Sequence, residues 1–357
     1  MEREIRINQL PVPTWHWLGM NETKIKLECM QEENHVHPEK IEDGITWKKE
    51  KSLEEIQTGM GKEFALLSQN TMETQVQTLH VKEGLKCQTP ILLQYEKQSE
   101  ASGIQRLQII AEKESEVTVI LVHHTKETDK AIGARLAHQI KVLAKEGAKV
   151  RVYQVQILDR KAQFLQDFGG KCEKNAEICL QQIELGTEKL YAGIMVELRE
   201  EAGDFQGEIG YVAEKAEQID LNYVARHLGR KTKSNLKVIG SMKEHARKLF
   251  RGTIDFQTGC SEAKGIEEEN VLLFGEHMIN QTIPLILCGE EDVEGSHGAS
   301  IGQLDEQVLF YLQSRGFTTK EIEKMILRAR MDALCKKIPS TEVQEQIERY
   351  MEENQRV

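Results

Sequence analysis

Four stretches of this chain repeat one local design: AEKESEV (111–117), AKEGAKV (144–150), CEKNAEI (172–178) and AEKAEQI (213–219). In each, charged residues hold the second and third places, a polar or charged residue the sixth, and a β-branched residue the seventh. Apolar positions then alternate, as at Val117, Val119 and Leu121, at Val150 and Val152, at Ile178 and Leu180, and at Ile219, Leu221 and Tyr223. A period of two is the mark of a strand with one buried face. A solvated turn that feeds a strand again and again is what a stacked β-solenoid needs, because each rung buries its face only against its neighbours. The intervals of 33, 28 and 41 residues are uneven, and an antiparallel sandwich would give much the same pattern.

The flanks have a different texture. The first 85 residues read as a helix-and-loop region punctuated by Pro11 and Pro13, with Trp15, Trp17 and an acidic stretch from Glu32 to Glu39 that holds His35 and His37. Within it, Lys48 to Met60 reads as a short amphipathic helix stopped near Gly59 and Gly61. Further on, Ile132, Leu136, Ile140 and Leu143 have helical spacing, but Ile140 and Val142 run into the turn at Gly147, which favours a strand in the C-terminal half. The last fifty residues or so are helical. Leu304, Val308, Leu309 and Leu312 form one stripe, closed by Arg315–Gly316. Thr318 with Glu321 makes a capping box for a second helix carrying Ile322, Met325, Ile326 and Ala329. Pro339 ends that unit, and Thr341 with Gln344 is placed to cap a third helix with Val343, Ile347 and Met351 on one face. Three short amphipathic helices cannot bury all their apolar faces on one another, so one face docks on the strand body or on a partner.

Composition narrows the function. The net charge of −11 and the lack of any Lys/Arg block exclude a nucleic-acid surface of the usual basic kind. Aromatic residues make up 5% and charged residues 29% of the 357 positions, a balance suited to an elongated, thin-cored body. The longest apolar run, Val117 to Val122, is far short of the ~20 residues that span a bilayer. The start, MEREIRINQLPVP, has no secretory core, so the expectation is a soluble cytoplasmic protein without a membrane partner. The seven cysteines are scattered and form no C-x-x-C pair, which argues against a disulfide framework or a structural zinc site. No phosphate loop is present: Gly59-Met-Gly61-Lys62 and Gly169-Gly170-Lys171 have the wrong spacing and lack the hydroxyl residue. There is neither a G-x-S-x-G elbow nor H-E-x-x-H. His35 and His37 read as part of a solvated acidic loop, and His123 and His124, adjacent on a strand, should point to opposite faces.

The most informative stretch is PLILCGEEDVEGSHGASIGQLDEQVLFYLQSRG, residues 284–316. An apolar strand meets the acidic turn Glu290–Glu291–Asp292. Next comes Ser296-His297-Gly298-Ala299, where small neighbours leave the imidazole accessible. Neutral imidazole is a good iron ligand, although a lone histidine also reads as structural. This stretch resembles the C-terminal signature of the SufB/SufD family of iron–sulfur cluster assembly proteins. The resemblance rests on Pro284, Leu285 and Leu287, on Glu291–Asp292–Val293, and on Ser296-His297-Gly298-Ala299-Ser300. Gly302, Leu304–Asp305, Phe310-Tyr311-Leu312 and Ser314-Arg315-Gly316 complete it, with looser upstream matches at Phe250-Arg251-Gly252 and Leu272-Leu273. The SufB branch has His-Glu-Ala-Thr where this chain has the SufD-like His297-Gly298-Ala299-Ser300. Two departures stand out. Gly295 occupies a place where the family often has cysteine, and Lys264-Gly265-Ile266-Glu267-Glu268-Glu269-Asn270 replaces a Gln/Asn-rich stretch.

The resemblance implies a mainly β protein: a right-handed parallel β-helix core (86–303) between an N-terminal helical region (1–85) and a small C-terminal helical domain (304–357). It also implies a non-catalytic SufD-like subunit that works with a SufB-type subunit and the SufC ATPase. A nascent iron–sulfur cluster would be built at the SufB–SufD interface and not held stably by this chain alone. His297 becomes the candidate ligand to iron or cluster. Leu304, Val308, Phe310, Tyr311, Arg315, Ile322, Met325 and Ile326 become the candidate docking residues for the ATPase. A heterodimer with SufB and a homodimer both remain open. The competing readings are a divergent SufB-like scaffold, a polysaccharide-acting β-solenoid enzyme with clustered acids on one face, and a structural partner whose His297 is simply buried.

Overall fold

The computed structural model describes residues 3–14, 16–28, 30–32, 36–69, 75–97, 102–125 and 135–354. Alternating sequence becomes two facing sheets, parallel except where the first strand of one pairs antiparallel with the second. One contains β6 (Ile91–Lys97), β8 (Glu116–Thr125), β10 (Lys149–Ile157), β12 (Glu177–Glu184), β14 (Asp204–Ala213), β16 (Lys233–Lys243), β18 (Ala263–Phe274) and β20 (Val293–Gly302), side by side in that order. The other begins with β4 (Ile45–Lys51) and β5 (Gln75–Val81). It continues through β7 (Gly103–Ala111), β9 (Arg135–Ala144), β11 (Gln163–Cys172), β13 (Lys189–Leu198), β15 (Gln218–His227), β17 (Arg247–Phe256) and β19 (Ile279–Cys288), with the short β3 (Gln31–Glu32) on β7. Successive strands fall in alternate sheets, so the chain winds as a parallel β-solenoid. The main core lies between the sheets and runs from Ile45 to Val271.

The turns explain both the repeat and its uneven spacing. The first three heptapeptides lead from the ten-stranded sheet to the eight-stranded one, whereas the fourth, at 213–219, leads back the other way. Intervals of 33 and 28 residues are therefore single coils, and 41 is a coil and a half. In the first set a residue with positive φ lies in each turn: Gly84, Glu114, Gly147, Asn175, Ala202, Lys231 and Glu262. That conformation, costly for L-residues other than glycine, aims each N–H along the solenoid axis. Glu114 N donates to Glu146 O at 2.9 Å, Gly147 N to Lys174 O at 2.8 Å, Asn175 N to Glu201 O at 2.9 Å and Ala202 N to Arg230 O at 2.9 Å. A hydrogen-bonded ladder of turns thus runs beside the strand ladders.

Each sheet has a coat on its outer face. On the eight-stranded sheet, α3 (Thr319–Cys335) and α4 (Thr341–Glu353) set Leu327, Met331, Leu334, Val343, Ile347 and Met351 on Ile120, Val122, Val155, Ile183 and Val212. Gly210 lets α3 sit close, because a Cβ there would fall 2.2 Å from Leu334 Cδ1. The capping box of Thr318 and Glu321 is present, while α4 is capped by Ser340, whose side chain accepts from Val343 N, rather than by Thr341. No described helix is long and apolar enough to cross a membrane.

The N-terminal coat corrects the expectation of a helical region. It is mostly strand: β1 (Arg3–Ile7) pairs with β2 (Thr23–Leu27), and Lys48 to Lys51, expected in a helix, complete β4. Ile45 and Trp47 pair there with Val81 and Leu79, and this partnership outweighs the local helical spacing. The helix of this region is α1 (Lys62–Gln69), which starts after Gly61. Residues 52–61 form a strap across the ten-stranded sheet. Lys141 Nζ donates to Leu53 O (2.7 Å), Gly59 N to Phe168 O (3.2 Å), Met60 N to Asp167 Oδ1 (2.9 Å) and Asn222 Nδ2 to Gly59 O (3.2 Å). The glycines tested above for phosphate binding serve this crossing. A Cβ on Gly169 would lie 2.4 Å from Gln57 O, and one on Gly59 would lie 2.0 Å from Ile194 N. Arg135 to Ala144 is a strand throughout, while Ile132, Trp15 and His35 lie outside the described residues.

Candidate functional site at the open coil

The solenoid ends on β19 and β20, each the last strand of its sheet. Among the described residues no strand pairs beyond β20 in its sheet, and every residue from Glu294 to Gly302 is exposed. Such an edge presents unpaired backbone groups and marks either a pairing surface or a liability. His297 stands in the middle of it.

Register fixes which way His297 faces. Along β18, Gly265, Glu267, Glu269 and Val271 are buried and their neighbours Lys264, Ile266, Glu268 and Asn270 are exposed. His297 is paired with Glu267, so it belongs to the inward row, carried one coil beyond the point where the interior is closed. In this chain His297 is exposed rather than buried.

Beneath that row lies a charged layer. Glu269 is satisfied: Lys248 Nζ is ion-paired with it, and Thr282 Oγ1 donates to its Oε2 at 2.7 Å. Lys248 Nζ also donates to Thr282 Oγ1 at 2.9 Å. Glu267 is equally buried, at 3% exposure, but among the described residues no hydrogen bond or ion pair reaches its carboxyl. The carboxyl leans over Gly252 on the facing strand, where a Cβ would fall 2.1 Å from Glu267 Oε2. Burial pushes this carboxyl up to about 8, and the neighbouring Glu269 charge adds to the shift. Sequence reading missed Glu267 as a site residue; the one signal was the departure from the Gln/Asn-rich stretch.

The two thiol questions also resolve. At Gly295 a Cβ would meet Ile286 Cγ2 and Phe256 Cε2, each at 3.0 Å, so a cysteine there would need these apolar side chains to shift by a few tenths of an ångström. Cys288, exposed at the end of β19, is a free thiol in the inward row, paired with Phe256. His123 and His124 do face opposite ways. The buried His123 meets His138 across the interior, its Nε2 3.0 Å from His138 Nδ1, far from the open coil. Among the described residues no cluster of three or more His, Cys, Asp or Glu is placed to hold a metal.

Of the candidate docking residues, Val308, Phe310 and Tyr311 are exposed on α2 (Glu306–Ser314), which buries no residue, with Phe310 72% exposed. Arg315 stacks over the Tyr311 ring at 5.2 Å, and Phe317 adds to the apolar surface. Met325 is exposed and Ile326 half-buried on α3, whereas Ile322 is fully buried and holds no surface position. Leu304 is half-buried against the α3–α4 core. Of the acids near the open coil, Glu267 and Glu269 lie buried between the sheets rather than on an outer face.

The fold is thus a solenoid coated on both outer faces, with an exposed terminal strand that carries His297. A family model described as SUF system FeS cluster assembly, SufBD core domain, matches residues 94–330, and the chain belongs to that family. It is 30% identical over 121 residues to the iron–sulfur cluster assembly protein SufD of Bacillus subtilis, covering 34% of this chain and 28% of that protein. To SufB of the same organism it is 23% identical over 267 residues, 73% of this chain and 56% of the relative. A SufBD family protein of Pyrococcus horikoshii is 27% identical over 279 residues, 73% and 58% of the two chains. The matches thus span less than two-thirds of each of these relatives' lengths.

Proposed function

We propose that this chain is a SufD-like, non-catalytic scaffold subunit whose open coil meets a SufB-type partner in the cytoplasm, with iron and the nascent cluster as its cargo. The observation that carries the reading is His297, exposed in the inward row of a terminal strand that is paired on one edge alone among the described residues. An imidazole there can serve a cluster only if a second protein closes the coil and supplies further ligands, which is the task of an interface. The SufD side is favoured by Ser296-His297-Gly298. The unburied α2, with Phe310 and Tyr311 outward, is the docking surface for a SufC-type ATPase.

The test is cluster reconstitution with the co-expressed partners. His297→Ala should lower cluster yield while the complex still assembles, and an unchanged yield removes the ligand role. Phe310→Glu should abolish co-purification of the ATPase, and retained binding moves its docking site elsewhere.

A further inference from the structure

Two buried carboxyls lie side by side in the inward row of β18, and only one has a partner. Glu269 is held by Lys248 and Thr282, while Glu267, next in the row toward the acidic turn, has no hydrogen bond or ion pair of its own among the described residues and feels the Lys248 charge only through space. A carboxyl buried without compensation is costly, and a protein keeps one where something arrives to compensate it. Gly252 provides its seat, since any side chain there would occupy the place of Oε2. The neighbour of Glu267 on the open side is His297, in register and on the same face, about 4.8 Å away along the ladder.

We propose that Glu267 and His297 together form a two-donor seat for a divalent first-row transition cation, ferrous iron in the working assembly. Imidazole nitrogen with carboxylate oxygen suits such a cation, and neither donor set nor edge geometry suits a soft thiophilic one. The remaining coordination positions point out of the open coil, where water or the closing subunit fills them. That fits the absence of any three-residue cluster among the described residues. The cation enters from solvent along β20, where a Cβ on Gly298 would meet nothing within 4 Å. Glu267 thus receives the metal at the coil's mouth, while Lys248 makes its ion pair with Glu269.

The inference rests on the reading of the last coil as the assembly face, and one titration separates the two. The full chain is titrated with Co(II), whose visible absorption reports nitrogen and oxygen ligation. The wild type should bind one ion, Glu267→Gln should weaken binding at least tenfold, and Glu268→Gln, which alters the outward neighbour, should leave it unchanged. Circular dichroism confirms that each variant is folded. If Glu267→Gln binds Co(II) like the wild type while His297→Ala loses it, the seat fails and the ligand role of His297 stands. If His297→Ala binds like the wild type, the ligand role itself fails, and with it the pair. Equal weakening by Glu267→Gln and Glu268→Gln means general acidity rather than a seat, and overturns the proposal.

Discussion

Both sheets are covered by apolar contacts, but only the ten-stranded one is also tied to its coat by a buried charged knot. On the eight-stranded sheet, α3 and α4 press one apolar face onto another, as in any helix–sheet layer. On the ten-stranded sheet the strap and the β1–β2 hairpin also bury apolar side chains, such as Ile5, Ile7 and Phe64 near Ile104 and Leu165, and Ile56 near Ile110 and Leu143, but buried polar links are added to them: Lys141 and Asp167 under the strap, and a knot around Arg251 under the hairpin. Arg251, fully buried, donates from Nη1 to Asp220 Oδ1 at 2.7 Å, from Nε to Met20 O at 2.6 Å and from Nη2 to Thr23 Oγ1 at 3.0 Å. Asn8 Nδ2 donates to the same Asp220 oxygen at 2.7 Å. An apolar coat tolerates small changes of volume, whereas a polar knot fails as a unit once one member leaves a buried charge behind.

The largest expected effect follows from that. Arg251→Ala strands Asp220 and a backbone carbonyl and should cost about 4 kcal/mol, read by urea denaturation. Hydrogen exchange should show the β1–β2 hairpin released while α3 and α4 stay protected. A loss below about 1 kcal/mol would mean that the knot is no stronger than surface pairing, and the contrast between the coats would collapse.

On the other face, Leu334→Ala should cost about 3 kcal/mol, because Leu334 is 1% exposed and fills the space over Gly210. Here α3 and α4 should lose protection and the hairpin keep it. Deprotection of both coats by either substitution would show that they fold as one unit and sink the claim of independence.

This contrast also decides what could be read from the residues alone. The α3–α4 coat was legible because burial of an apolar stripe leaves a period in the sequence: Val343, Ile347 and Met351 are all buried. The solenoid was legible for the same reason, through alternating strands and repeated turns. The strap was not, since its information lies in Gly59, Gly169 and Gly193, in Asp167 and in Lys141, isolated residues whose partners are distant in sequence. Lys48 to Lys51 misled because strand pairing with β5, absent from any local window, outweighed helical spacing. At the open coil, His297 was visible through its neighbours, but Glu267 acquires meaning only when Gly252 and Glu269 are seen beside it.

The smallest effect comes from the interior that both sheets share, and serves as the control for the other two. Glu184 is fully buried there, and burial pushes its carboxyl from 4.5 up to about 8. The folded chain keeps this proton up to about pH 8, whereas the unfolded chain releases it near 4.5. Between those values the native state binds more protons, so stability should fall as pH rises, by at most about 1.4 kcal/mol per pH unit for this group. Glu267, also raised to about 8, adds a second contribution of the same sign. Glu184→Gln should flatten part of this slope and gain stability over the wild type between pH 6 and pH 8. It should do so without altering the protection of either coat. Equal slopes for wild type and variant would show that Glu184 is already ionised in the fold, and that the interior is wetter than its burial implies.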